Sequence, residues 1–461
     1  MSPEVGWKAK AAAKAASISD TIPESWRIPE PIAADAQTDI TGPYLHKYLT
    51  GDEIEITEAS AVGIVKKVAD GEWRAENVAR AFCHRAALAH QYVSCLHDVF
   101  FDVAIKDAVA LDEYYRQHGK PIGPLHGLPV SLKDQMHVKG VETTMGYVGW
   151  IGAFQGHKGT GLEKQFKSEL VTELRGLGAV LYCKTSVPQT LMSAETMNNI
   201  IGYTFNPKNR NLSSGGSSGG EGALISLRGS PIGFGTDYSG SIRMPAAFNG
   251  LYGIRPSSGR LPYQGMANSM DGQNTVLSVV GPMSHSHGFI TLLSWKYLGD
   301  LTLSRLPRIW YPVAKGSPLT CWLYDGGVDV HQSFGLSGEP IAEQIGWIYG
   351  SQAREQMNAS AIARNNIAKR DYQKDALDWT VVTIPITTVD KDIDSVDSSF
   401  SPLSDFDARV QQGYIPEIYD GAHVSLQLLG RRFQEEKLLV LADYIGKTVA
   451  SYYVSTSVRK K

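Results

Sequence analysis

Three stretches of this chain hold residues whose types and spacing could do chemistry. Ser213 to Gly222 reads SSGGSSGGEG, four serines and five glycines in ten positions. Glycine permits positive φ and close backbone approach, which a site needs when amides must point at a ligand. A flexible linker is the plain alternative, yet apolar sequence follows at once in Ala223-Leu-Ile-Ser-Leu227. The second stretch is Gly233-Phe-Gly-Thr-Asp-Tyr-Ser-Gly-Ser-Ile-Arg243. It holds no GK[ST], and Tyr238 stands where a dinucleotide fingerprint needs glycine, so neither phosphate loop fits. What remains is a turn whose successive amides, Tyr238 to Ser241, could form an anion-binding nest beside a serine hydroxyl. Acyl transfer needs that pairing, because its tetrahedral intermediate carries an oxyanion. The third is Lys133, which ends the apolar run Pro129-Val-Ser-Leu behind Gly123-Pro124 and Gly127-Leu-Pro129. A lone lysine is normally solvated. In a dry pocket its ammonium is disfavoured, its pKa falls from ~10.4 toward neutrality, and the amine can act as a general base.

Other arrangements are weaker. Gly215-Gly-Ser217-Ser-Gly219 matches the G-x-S-x-G nucleophile elbow, which needs an acid and then a histidine downstream. His331 and His423 are available, with nothing distinctive around them. S-x-x-K occurs at Ser457 to Lys460, in a basic tail. His285-Ser-His287 lacks a third metal ligand and reads as a surface turn. Cys83, Cys95, Cys183 and Cys321 show no C-x-x-C spacing, so they read as reduced thiols in a cytosolic protein.

Elements must position these residues. Residues 57–117 read as helical, with Thr57 as N-cap and Ala104, Ala108, Leu111 and Tyr115 on one face. Gly119 and Pro121 stop that run. Pro129 to Lys133 reads as a short buried strand. Ser168 to Leu177 reads as a helix, and Ala179 to Cys183 as the next strand, an α/β alternation. Residues 206–262 read as loop-rich, and residues 301–350 show no clean periodicity. Thr380 to Ile386 is a strand candidate and Glu435 to Tyr444 a helix.

The chain has 461 residues, which suggests roughly three domains or one large α/β domain. Hydrophobic residues make up 43% and charged residues 20%, enough for a sizeable core. Forty-four basic and 47 acidic residues leave a net charge of −3, no electrostatic footprint for nucleic acid or an acidic membrane. No apolar run approaches the ~18 residues of a membrane span. The start, MSPEVGWKAKAAAKAAS, has no apolar h-region, and its Glu4 and lack of arginine disfavour a mitochondrial leader. A cytoplasmic location is expected.

Gly123-Pro-Leu-His-Gly-Leu-Pro-Val-Ser-Leu-Lys-Asp134, the run from Gly215 to Leu224, and Gly235-Thr-Asp-Tyr-Ser-Gly-Ser-Ile-Arg243 together resemble the amidase signature family. The likeness runs through residues 121–287. It is nearest the fungal acetamidase-like branch in Val187-Pro-Gln-Thr-Leu-Met-Ser193 and Gly259-Arg-Leu-Pro-Tyr263. The resemblance implies an α/β fold with a central mixed β-sheet covered by helices on both faces. It implies a Ser-Ser-Lys triad: Ser241 as nucleophile, Ser217 as proton relay next to a cis peptide, and Lys133 as base and later acid. It assigns the oxyanion hole to the Tyr238, Ser239, Gly240 and Ser241 amides, and the substrate side to Leu191 and Met192. Ser218, Asp237 and Arg243 would hold the loop and the lysine. No metal or organic cofactor is implied.

The implied reaction is hydrolysis of a small carboxylic acid amide to acid plus ammonia or amine, without nucleic acid or membrane partners. A homodimer is one assembly it allows. Two alternatives stay open, an amidotransferase-type subunit working in a complex and a catalytically impaired amidase remnant. Residues 1–55 read as an N-terminal arm and 56–461 as one domain, with the catalytic core near 121–290 and a C-terminal part near 300–450. That part is shorter than the family's, near Leu301 to Asp329 and around Lys374. Ser239 stands where the family has glycine and His423 where it has proline. A position that needs φ > 0 would cost serine about 1 kcal/mol or more.

Overall fold

The computed structural model describes residues 3–30, 32–269, 277–286, 288, 323–362, 379–402 and 404–459. Its longer helices are α1 (Pro3–Thr21), α2 (Gly51–Glu58), α3 (Ala61–Ala69), α4 (Ala75–Val93), α5 (Phe101–His118), α6 (Glu169–Gly176), α7 (Gly219–Ser226), α8 (Arg243–Phe248), α9 (Val328–Gly335), α10 (Glu343–Tyr349), α11 (Asp405–Gln412) and α12 (Glu435–Arg459). The main strands are β1 (Leu96–Val99), β2 (Pro129–Lys133), β3 (Val180–Thr185), β4 (Ile232–Asp237), β5 (Tyr252–Arg255), β6 (Val279–Ser284), β7 (Thr380–Thr388) and β8 (His423–Gly430).

All eight strands join one sheet in the order β1-β3-β2-β4-β6-β5-β7-β8. β2 runs parallel to β3 and β4, and the other neighbours are antiparallel. β2, β3 and β4 are buried along their whole lengths. A strand covered on both faces carries apolar residues without alternation, which is how PVSLK could be read from sequence. Helices cover both faces at the β8 edge. Ser425 Oγ donates to the Ala247 carbonyl of α8 on one face, while Leu428 packs with Leu438 and Leu439 of α12 on the other. The mixed sheet expected from the resemblance is the observed one.

Four readings of the chain are corrected. The helical stretch 57–117 is parts of four helices, and the strand β1 interrupts it. The N-cap of α2 is Thr50, whose side chain forms a reciprocal capping box with Glu53. Thr57 lies inside that helix and donates to the Glu53 carbonyl at 2.7 Å. β1 is only LHDV, and it exists because β3 offers it an antiparallel edge. Second, the loop-rich stretch 206–262 contains α7, β4, α8 and β5. Third, 323–350 carries α9 and α10, while 301–322 lies outside the described residues.

The fourth concerns the N-terminus. The stretch read as an arm is folded onto the body rather than leading into it. Ile18, Ile22, Ile28, Ile40 and Leu45 belong to the same buried cluster as Leu132 and Phe234. Lys14 of α1 is ion-paired with Asp98 at 2.7 Å and Glu142 at 3.1 Å.

Candidate active site

β2 delivers Lys133 to its carboxyl-terminal end, where the side chain is fully buried. Its Nζ lies 2.7 Å from Ser217 Oγ and 2.9 Å from Thr236 Oγ1, with the Thr236 carbonyl at 3.4 Å. Burial disfavours the ammonium, and the more distant charges of Asp237 and Glu221 only partly restore it, so the lysine titrates at about 7. A buried, near-neutral amine against a serine hydroxyl is the geometry of a general base.

Ser217 precedes α7, and the Gly216–Ser217 peptide is cis. The glycines around it are packed, which excludes the linker reading. A Cβ on Gly220 would sit 2.3 Å from the Ser186 amide nitrogen, and one on Gly222 would meet Asn249 Nδ2 at 2.5 Å. Ser218 is buried; its amide donates to the Ser241 carbonyl at 3.1 Å. That bond ties the strand-to-helix turn carrying Ser217 to the loop carrying Ser241.

Asp237, the last residue of β4, organises that loop. Its Oδ1 accepts from the Gly240 amide at 2.7 Å and from Arg243 Nη2 at 3.0 Å. Its Oδ2 accepts from the Ile242 amide at 3.1 Å and Arg243 Nε at 2.9 Å. Burial alone would push this carboxyl up. The guanidinium groups of Arg243 and Arg255 and the loop amides outweigh it and hold it at about 2.

Ser217, Tyr238 and Ser241 all line one cavity of about 720 Å³. Leu191 and Met192 line it too, with Thr190 beside them. Thr190 and Leu191 both hold left-handed backbone, φ 65° and 62°, conformations non-glycine residues adopt only when their surroundings impose them. Phe154, Phe166 and Tyr263 add aromatic wall, and Gln135 and Asn268 polar groups. Ser239 is exposed and does not hold a positive φ; Gly240, at φ 138°, does. The serine at 239 therefore carries no left-handed strain. The Gly240 amide is engaged by Asp237, so it is turned toward the loop's own carboxylate.

Three residues at the site escaped the sequence reading. Thr236 and Gln135 contact the lysine directly and at one remove. Glu221 is fully buried, accepts from Ser131 Oγ at 2.6 Å and Thr185 Oγ1 at 3.0 Å, and is pushed up to about 8 by burial. It stitches β2, β3 and α7 together behind Lys133. Glu221 and Thr236 lie inside the motifs that were read, and a charged residue in a run of glycines was an available signal. Of the other candidates, His285 Nε2 contacts the Ile225 carbonyl, and His287 lies outside the described residues. His331 and His423 do not line the cavity that holds the serines.

Comparison with known proteins gives the family of the chain. Residues 77–294 match the amidase family pattern. The chain is 38% identical to an acetamidase of Emericella nidulans, over 96% of this chain and 98% of the relative. It is 37% identical to an acetamidase of Aspergillus oryzae, over 96% and 99%. Among solved structures, a fatty acid amide hydrolase superposes with a TM-score of 0.83 at 28% identity, covering 97% of this chain and 96% of that one. The protein is a hydrolase acting on amide C–N bonds. The chain belongs to the amidase signature family, and it is similar over nearly its whole length to fungal acetamidases. The alignment with the Emericella nidulans protein spans 552 positions for a chain of 461 residues, so at least 91 of those positions face gaps in this chain.

Proposed function

We propose that this protein hydrolyses a small carboxylic acid amide to the acid and ammonia or an amine through a Ser-Ser-Lys acyl-enzyme mechanism. The observation that carries the reading is the fully buried Lys133 amine 2.7 Å from Ser217 Oγ, with Ser217 and Ser241 both lining one cavity. Neutral Lys133 takes the Ser217 proton as Ser217 takes the Ser241 proton. Ser241 Oγ then forms a bond to the amide carbon, and the carbonyl π electrons move to oxygen. Amides of the segment Tyr238 to Ser241 stabilise that oxyanion, with Gly240 in the supporting role of fixing the loop. Collapse breaks the C–N bond. The proton held by Lys133 returns through Ser217 to the leaving nitrogen. Water, deprotonated by the same route, releases the acid from Ser241. None of these steps calls on a metal or cofactor.

Arg243 and Asp237 act by holding the loop, and Ser218 by holding the two serine segments together. Leu191 and Met192 shape the side of the cavity on which the amide lies. Among the described residues no helix is long and apolar enough to cross a membrane. Cytoplasmic action on a free small amide, by the chain alone or as a homodimer and without nucleic acid, is the reading we adopt. The shortened C-terminal part belongs to the same reading, and its segments 301–322 and around Lys374 lie outside the described residues.

Amide turnover by Ser241→Ala beside the unsubstituted enzyme tests the nucleophile. Loss of at least about 10³-fold is expected, together with loss of labelling by a fluorophosphonate. Undiminished turnover would remove Ser241 from its role.

A further inference from the structure

Gln135 lines the cavity and reaches back to Thr236 beside Lys133, and the hydrogen bonds around it can be given a direction starting from a backbone carbonyl. The Met266 carbonyl can only accept, so Asn268 turns Nδ2 toward it at 3.1 Å. Asn268 Oδ1 therefore faces inward, where it accepts from Tyr263 OH at 2.7 Å and from Gln135 Nε2 at 3.0 Å. Gln135 Nε2 also donates to Tyr263 OH at 3.0 Å. With its nitrogen committed to that side, Gln135 presents Oε1 to Thr236 Oγ1 at 2.7 Å. Thr236 has one hydroxyl proton, and it goes to Gln135. Thr236 Oγ1 can then only accept from Lys133 Nζ at 2.9 Å.

The consequence falls on the amine. A neutral lysine has two N–H groups and one lone pair. One N–H is held on Thr236 Oγ1 and the second has the Thr236 carbonyl at 3.4 Å. The lone pair is left for Ser217 Oγ at 2.7 Å. Were the Gln135 amide turned round or removed, Thr236 could donate to the lysine instead. The lone pair would then be spent on Thr236, and Ser217 would receive a proton rather than give one.

We propose that Gln135 is a positioning residue for amide hydrolysis: its side-chain amide sets the direction of the hydrogen-bond chain at Lys133 so that the amine accepts from Ser217. The proposal rests on the Ser-Ser-Lys reading. It also links the base to the cavity, because Tyr263 and Asn268, which anchor the amide, form part of the wall that meets substrate.

The test uses the full-length protein with Gln135→Leu and Gln135→Glu, assayed for amide turnover across pH and for fluorophosphonate labelling of Ser241. For Gln135→Leu, kcat and the labelling rate should both fall on the order of 10²-fold, with KM little changed. Gln135→Glu adds a negative charge beside Thr236 to that of Asp237 on β4, which already acts on Lys133, while Glu221 on α7, pushed up to about 8, is protonated over the acidic limb. The added charge favours the ammonium, so the acidic limb of kcat/KM should move to higher pH. Unchanged kcat in Gln135→Leu, or a defect confined to KM, would overturn the proposal and leave Gln135 a piece of cavity wall. Should Gln135→Leu lose its cooperative thermal transition, Gln135→Met, closer in shape and equally unable to accept from Thr236, replaces it: a fall in kcat with KM retained supports the proposal and an unchanged kcat sinks it. The two readings fail separately. Full turnover by Ser241→Ala removes the triad itself, whereas an inactive Ser241→Ala beside indifferent Gln135 variants removes only the present inference.

Discussion

Lys184 Nζ and Asp134 Oδ1 form an ion pair at 2.6 Å with both side chains sealed from solvent. The same ammonium donates to the Glu142 carbonyl at 2.9 Å and to Thr143 Oγ1 at 2.6 Å, so its three N–H groups meet three acceptors. Asp134 also accepts from the amides of Thr144 and Met145. Lys133, the residue before Asp134, is just as buried but has hydroxyl and carbonyl partners at hydrogen-bond distance. Burial lowers both lysines, and for Lys184 the touching carboxylate pulls hardest the other way. Partner chemistry separates a structural cation from a base.

Removing the cation of that pair should therefore be costly. Lys184→Met leaves Asp134 charged and buried, and the expected loss is roughly 3–5 kcal/mol. A urea titration reads it directly. An unchanged midpoint would mean that Asp134 finds another partner or takes up a proton at no cost.

The pH profile should follow Lys133. The active form is the amine, and the lysine titrates at about 7. Protonation below that value removes the base, so kcat/KM should fall about tenfold per pH unit on the acid side and level off above. A profile flat across about pH 5 to 8 would contradict an amine base at this position.

Asp237 should matter to stability as well as to loop geometry. Asp237→Asn leaves Arg243 and the nearly buried Arg255 without their shared carboxylate, and roughly 3–5 kcal/mol should be lost at neutral pH. The sign with pH is fixed. The folded carboxyl is lowered from 3.8 to about 2, so its contribution is complete above 3.8 and fades as pH falls through about 2. The gap between variant and parent, measured by denaturant titration, should narrow in acid. A constant gap would show that the lost bonds were not charge-dependent.

Two glycines offer an internal contrast. Gly220→Ala drives a methyl group into the Ser186 backbone nitrogen at 2.3 Å and the Cys95 carbonyl at 2.7 Å. Backbone atoms cannot rotate away, so at least about 1–3 kcal/mol should be lost. Turnover should drop with it, since α7 follows directly from Ser217. Gly6→Ala in α1 meets nothing within 4 Å and should raise stability by up to about 1 kcal/mol. Equal thermal midpoints for the two variants would deny the tight packing of the glycine run.

Much of the sheet was legible because burial on both faces writes itself into the residues. PVSLK, AVLYC and TVVTIPI announce strands without their partners. The short β1 did not, because LHDV has no apolar run and becomes a strand only when β3 lies beside it. The helical start of α7 was hidden for a different reason. Glycine has the lowest helix propensity after proline, and Gly219 and Gly220 are helical here because their neighbours leave no room for a side chain. The N-terminal segment looked like an arm because α1 buries few large side chains of its own, and its docking depends on Lys14 reaching Asp98 and Glu142 far along the chain.

Local order along the chain determined which residue types were available: a lysine closing an apolar strand, serines among glycines, and a carboxylate six residues before an arginine. Those facts require only covalent neighbourhood, and it was the resemblance to the amidase signature family that singled out Lys133, Ser217 and Ser241 among them. Only the tertiary structure decided that Lys184 meets a carboxylate while Lys133 meets hydroxyl and carbonyl partners, with Gln135 behind Thr236. A pKa depends on the dielectric and the partners that distant segments bring together, and a hydrogen-bond direction depends on a whole chain of donors and acceptors. Neither is a property of any one stretch of residues.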